Sequence, residues 1–123
     1  QAPAAPPKPV TFADNVIQEW GRTREAVAEM GGNNSSLKGM VCVVPLGSQR
    51  ADLEQMGRDL RAKFEGYDNI NVEVFDNESA AKTYAEQNKM NTSRRVLSVS
   101  KHQGSGRDVI LYYENGTTYE VAR

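Results

Sequence analysis

Cysteine and histidine each occur once in the 123 residues, and those two scarcities exclude much of the chemistry that small domains carry. A lone Cys42 closes no internal disulfide, and one Cys with one His cannot assemble a Cys/His zinc site. Long apolar runs are missing as well. None approaches the ~20 residues that a membrane-spanning helix needs, so no integral membrane segment is expected. Charge of one sign is also lacking: 15 Lys and Arg against 16 Asp and Glu leave a formal charge of -1, which supplies no global field to draw the chain onto nucleic acid or an anionic membrane. Two motifs are absent. Ser48 sits in no Gly-x-Ser-x-Gly elbow, and Leu46-Gly47-Ser48 lacks the Gly-x-x-x-x-Gly-Lys-[Ser/Thr] of a phosphate loop. A Ser48–His102–Asp76 triad can be written on paper, but helix capping accounts for both Ser48 and Asp76. No catalytic residue, metal or cofactor is assigned, and the expectation leans away from an enzyme.

What is present starts with a Pro/Ala-rich stretch. Residues 1–10 hold four prolines among alanines, and proline fixes φ and removes donors, so this segment reads as an extended tether outside the core. A tether of this composition suits an exported protein, secreted, periplasmic or on the cell surface, with a lipid anchor upstream of Gln1 as one form of that expectation. Residues 12–30 read as a helix capped by Thr11, with Phe12, Val16, Trp20 and Val27 near one face. Gly31-Gly32 stops it, and a Gly/Asn/Ser linker runs to Ser36. Trp20 is assigned to core packing, with oligomerisation through its helix as the alternative.

The most legible stretch is 39–76. Met40-Val41-Cys42-Val43-Val44 is a continuous β-branched run that suits a strand covered on both faces, and it makes Cys42 a small buried hydrophobe. Leu53, Met56, Leu60 and Phe64 then recur at spacings of three and four, the stripe of an amphipathic helix. Gly57 beside that stripe permits a close approach to the sheet. Ile70, Val72 and Val74 form the next strand. Asp76 or Asn77 caps a shorter helix over about 78–89 that buries Ala80, Ala81 and Tyr84. A third strand follows over 94–100, and Asn115-Gly116 joins the last two strands as a hairpin with both turn residues at φ > 0. Counting back from that turn pairs Glu114 with Thr117, Tyr112 with Tyr119 and Ile110 with Val121.

The expected fold is therefore α/β, or α+β, in the order α-β-α-β-α-β-β-β: a small two- or three-layer sandwich around a mixed five-stranded sheet. Strands one to three run parallel and the C-terminal hairpin is antiparallel. Residues 37–123 form one domain, residues 11–36 its N-terminal helix and linker.

In such a sheet three turns open together at the carboxyl ends of the parallel strands, where ligands of open α/β sheets bind. They would bring together Ser48 and Arg50, Asp76 and Asn77, and the Gly-rich segment with Lys101, His102, Ser105 and Arg107. Helix N-termini and flanking cations there would favour an anion. Three functions follow. The preferred one is a non-enzymatic extracytoplasmic domain that binds a protein or an envelope component. The alternative is a small-ligand or phosphate-handling domain using the three turns. The lesser alternative is single-stranded nucleic-acid binding through Arg94, Arg95, Lys101 and Arg107 beside Tyr112, Tyr113 and Tyr119.

Overall fold

The stretch from Leu37 to Phe75 forms the centre of the sheet, and strands join it on both sides. The computed structural model describes residues 16–31 and 35–123; the expected tether over 1–10, the Thr11 cap and Phe12 lie outside the described residues. In chain order the elements are β1 (Val16–Arg22), α1 (Arg24–Glu29), β2 (Leu37–Val43), α2 (Arg50–Lys63), β3 (Asn69–Phe75), α3 (Glu78–Lys82, continued by a π-helical turn over Thr83–Gln87), β4 (Arg95–His102), β5 (Arg107–Glu114) and β6 (Thr117–Glu120). The six strands lie side by side in sequence order. Only β2 and β3 are parallel; every other neighbouring pair is antiparallel. The class is α+β with a mixed sheet of six strands where five were expected.

The additional strand is β1, over residues assigned to a helix. Gly21 explains the error. Its φ is +130°, outside any helix, and a Cβ there would come within 2.0 Å of the Leu37 carbonyl oxygen. The helix starts only after Thr23, whose hydroxyl accepts from the Ala26 N–H at 3.1 Å. Pairing with β2 therefore outweighs a helix-like spacing that Gly21 already interrupts. Trp20 sits on this strand, its ring over Gly39, so the helix through which oligomerisation was expected does not carry it.

α2 covers one face. Its Leu53, Met56, Leu60 and Phe64 pack on Met40, Cys42, Val72, Val74, Leu97, Val99 and Ile110, all nearly or fully buried. Burying each such side chain contributes about 1.5–3 kcal/mol. Gly57 makes the close approach possible: a Cβ there would lie 2.6 Å from Ile110 Cγ2. Burial pushes the Cys42 thiol up to about 12, as a buried hydrophobe requires. The opposite face carries a smaller cluster, Val41 and Phe75 under Ala81, Tyr84 and Ala85 of α3, with Trp20 packed against it. Beyond Phe75 that face turns polar, with Asn71, Glu73, Ser98 and Ser100 on β3 and β4.

The hairpin register is as counted: Glu114 opposes Thr117 and Tyr112 opposes Tyr119, the Val121 N–H donates to the Ile110 carbonyl at 2.8 Å, and Asn115 and Gly116 have φ of 49° and 77°. The direction of β4 is the main correction. It was expected parallel to β3, and it runs antiparallel. The chain after β3 turns back instead of recrossing the sheet. The helical segment ends at Gln87, and the turns over residues 88–94 double the chain back until the Asp76 N–H donates to the Arg94 carbonyl at 3.1 Å. β4 thus starts where β3 stopped.

Candidate functional site

Because β4 reverses, the three turns do not converge. His102 pairs with Asn69 at the start of β3, whereas Asp76 follows its end, so the two ends lie about 20 Å apart. Ser48, Arg50, Asp76 and Asn77 occupy one end of the sheet; Lys101, His102, Ser105 and Arg107 occupy the other. A Ser48–His102–Asp76 triad is geometrically excluded.

At this second end, where β4 turns into β5 (the hairpin end below, as distinct from the Asn115-Gly116 turn), the polar side chains serve one another. His102 Nδ1 lies 3.1 Å from the Ser105 hydroxyl and accepts from the Ser105 N–H at 3.2 Å. Lys101 donates to the Tyr67 and Glu65 carbonyls at 2.8 and 3.2 Å. The Gln103 N–H donates to Asn69 Oδ1 at 3.0 Å, and Arg107 Nε to the Ser100 hydroxyl at 3.1 Å. Arg61, whose side chain is 6% exposed, donates to both carboxylate oxygens of Asp108 at 2.8 and 2.7 Å. Those hydrogen bonds hold the Asp108 carboxyl well below its usual range, at about 2. This end is a closed structural lock.

The other end opens into a cleft of about 590 Å³. The loop after β2 supplies Gly47 and Ser48, the end of β3 supplies Asp76, the start of β4 supplies Thr92, Arg94, Arg95 and Val96, and the β5–β6 turn supplies Tyr112 through Gly116 with Thr118. Among the expected residues Ser48 and Asp76 line it. Ser48 is not a cap: its hydroxyl donates to the Pro45 carbonyl at 2.6 Å, and Gln49 occupies the cap position without a side-chain hydrogen bond. Arg50 stands beside the cleft, its guanidinium 4.9 Å from the Tyr112 ring and 4.4 Å from the Tyr119 ring. Asn77 caps α3, its side chain accepting from the Ala80 N–H at 2.9 Å.

The residues that shape the cleft most were named in the sequence only as part of a basic segment. Arg94 has φ of +66°, which costs a non-glycine residue about 1–2 kcal/mol. Its Nε donates to Asp76 Oδ1 at 2.9 Å. Directly after it, β4 carries an extra residue relative to β3: Val74 opposes Leu97, yet Phe75 opposes Arg95. That bulge sends Val96 toward the main core and Arg95 onto the polar face, since a one-residue slip exchanges the two faces. Arg95 lies 4.2 Å above the Tyr113 ring and donates from Nη1 to Glu73 Oε2 at 3.2 Å. The Ser98 hydroxyl donates to the same Glu73 oxygen and accepts from the Tyr113 hydroxyl at 3.1 Å. Burial raises the Glu73 carboxyl above its ordinary value, against the pull of Ser98 and Arg95. Arg95 Nε is buried with no acceptor, a state that costs roughly 1–3 kcal/mol. The signal available in the sequence was Arg94-Arg95 straight after a turn, since adjacent strand residues reach one site only across an irregularity.

The cations expected to track a nucleic-acid strand are split between the two ends of β4, and each is engaged within the protein. Among the described residues no group of three or more His, Cys, Asp or Glu side chains could hold a metal ion, and no helix is long and apolar enough to cross a membrane. No protein-family model matches the chain, and neither a curated protein nor a solved structure shows significant similarity to it.

Proposed function

We propose that this chain is a non-enzymatic binding domain and that the cleft at the carboxyl ends of β2 and β3 holds its partner, a protein segment or an envelope component. One observation carries the reading: the cleft gathers residues from four separate segments, among them a strained Arg94 and a bulged Arg95. Strain of that kind persists where a site over-determines it. The chemistry at hand suits recognition. The lone His102 stands at the far end, and Ser48 and Asp76 are tied to Pro45 and Arg94.

A position outside the cytoplasm belongs to the same proposal. Its support is the Pro/Ala-rich composition of residues 1–10, which suits a tether. Fractionation of cells producing the natural gene product decides that part: recovery with the envelope agrees with it, and recovery in the cytosol removes it. For the cleft, a random-peptide display selection against the full chain, followed by heteronuclear NMR with the selected peptides, is the direct test. Shift changes gathered at Ser48, Thr92, Asn115 and Thr118 support the reading. Changes gathered at His102 to Arg107, or no selected peptide at all, sink it.

A further inference from the structure

The sheet has two edges, and they differ. β1 is blunted: its register slips between Val16 and Gln18, and Gly21 holds a φ of +130°, irregularities of the kind that keep a foreign strand off. β6 keeps an unbroken register with β5, from Glu114 opposite Thr117 to Leu111 opposite Glu120, and all four of its residues are exposed. That register fixes where its backbone groups point. The two-residue turn makes Glu114 and Thr117 a hydrogen-bonded pair, and alternation makes Tyr112 and Tyr119 the next. The Val121 N–H on the Ile110 carbonyl keeps the same parity. Thr118 and Glu120 therefore aim both N–H and C=O away from β5, with no strand beyond them among the described residues. Thr118 also lines the cleft, so the open edge and the cleft adjoin.

We propose that the partner is an extended, basic protein segment that adds a strand to the free edge of β6 and runs on into the cleft, an inference that rests on the binding reading of the cleft. Pairing with Thr118 and Glu120 supplies main-chain hydrogen bonds, and alternate side chains of the segment meet the two faces of the sheet. On the α2 face the neighbour is Tyr119, 37% exposed beside the Arg50 guanidinium, which suits an apolar or aromatic residue. On the other face it is Glu120, and at the turn Glu114, which lines the cleft. Neither carboxylate has an ion-pair partner among the described residues, so charge complementarity calls for Lys or Arg there. The cations at the cleft are answered internally, Arg94 by Asp76 and Arg95 by Glu73. A second copy fits less well. Four edge residues bury far less than the ~1,200 Å² of a stable interface, whereas a flexible segment gains the cleft as well.

The test uses the full chain with a display-selected peptide that shifts the cleft residues, made also with single N-methyl amides along its length. On binding, the Thr118 and Glu120 amides should gain protection from hydrogen exchange, while Tyr119, whose N–H already faces Tyr112, is protected throughout. N-methylation should abolish binding at every second position of the paired stretch and be tolerated between. Thr118→Pro removes an N–H that no ladder bond of the fold uses, so it should melt close to the parent and weaken the peptide about tenfold, and Thr118→Ala should bind like the parent. Glu120→Lys should weaken it about fivefold. Unchanged exchange at Thr118 and Glu120, a folded Thr118→Pro that binds like the parent, or selected peptides that are acidic would overturn the inference. So would a dimer by sedimentation that Thr118→Pro converts to monomer, because the edge would then belong to a second copy. If selected peptides still shift Ser48, Thr92 and Asn115 but ignore Thr118→Pro, the cleft reading stands and strand addition fails; if none maps there, both fail.

Discussion

At the start of β3 and the end of β4, Lys101, His102, Gln103 and Ser105 each find a partner within the protein, whereas at the other end of the same two strands Arg95 keeps a buried Nε with none. Both ends carry cations, hydroxyls and glycines, which is why residue types alone singled out both. What separates them is satisfaction. At the hairpin end donors and acceptors balance and the backbone follows regular register. At the cleft end the backbone is bent twice within two residues and an arginine is left short of acceptors. A polar loop that closes on itself holds a fold together, and the proposed binding reading assigns the partner to the end that stays open as a cleft.

The largest expected break in that comparison is Asp108→Asn at the hairpin end. It leaves Arg61 buried with only Glu65 as a charged partner, and should cost about 3 kcal/mol of stability by urea unfolding. A cost well under 1 kcal/mol would mean that this end is no lock. The same carboxylate sets an acid limb. Its folded pKa is depressed to about 2, so its contribution is fully present above the unfolded value near ~4 and drains away as pH falls through the folded one. Asp108→Asn should lack that limb in a pH series of melts.

Tyr113→Phe comes next. It removes the hydroxyl bond to Ser98 and keeps the ring under Arg95, so it should cost about 1 kcal/mol by the same unfolding measurement. No measurable cost would mean that the Tyr113 hydroxyl adds nothing to the Glu73–Ser98 network.

The core was legible because its signals are local. The apolar run at Met40–Val44, the stripe from Leu53 to Phe64 and the Asn115-Gly116 turn each specify their own element, and the structure has all three where expected. β1 was not legible, since Val16 and Trp20 fit a helical spacing and only pairing with β2 and the φ of Gly21 decide against it. The direction of β4 depends on where α3 stops and the chain turns, a matter of a few residues of length. It carried half of the candidate site with it: Ser48 and Asp76 belong to the cleft, and Lys101, His102, Ser105 and Arg107 do not. Arg95 was hidden by the bulge, because strict alternation would place Val96 on the polar face instead.

Smaller effects sharpen the contrast. Arg94→Gly relieves a left-handed backbone that costs ~1–2 kcal/mol against an entropic loss of ~0.5–1 kcal/mol, and its exposed pair with Asp76 adds little. A gain of about 0.5 kcal/mol in stability with weaker ligand binding is expected, by melts and titration on the same variant. His102→Ala should change stability by less than about 0.5 kcal/mol and cleft binding not at all, since the ring serves only its own turn.

The central claim, that the cleft end binds and the hairpin end only holds, comes down to one titration of the full chain with a display-selected peptide followed by NMR at both ends. Saturable shifts are expected at Ser48, Thr92 and Asn115, with His102, Ser105 and Arg107 unmoved. Saturable shifts at the hairpin residues with the cleft residues unmoved would contradict it.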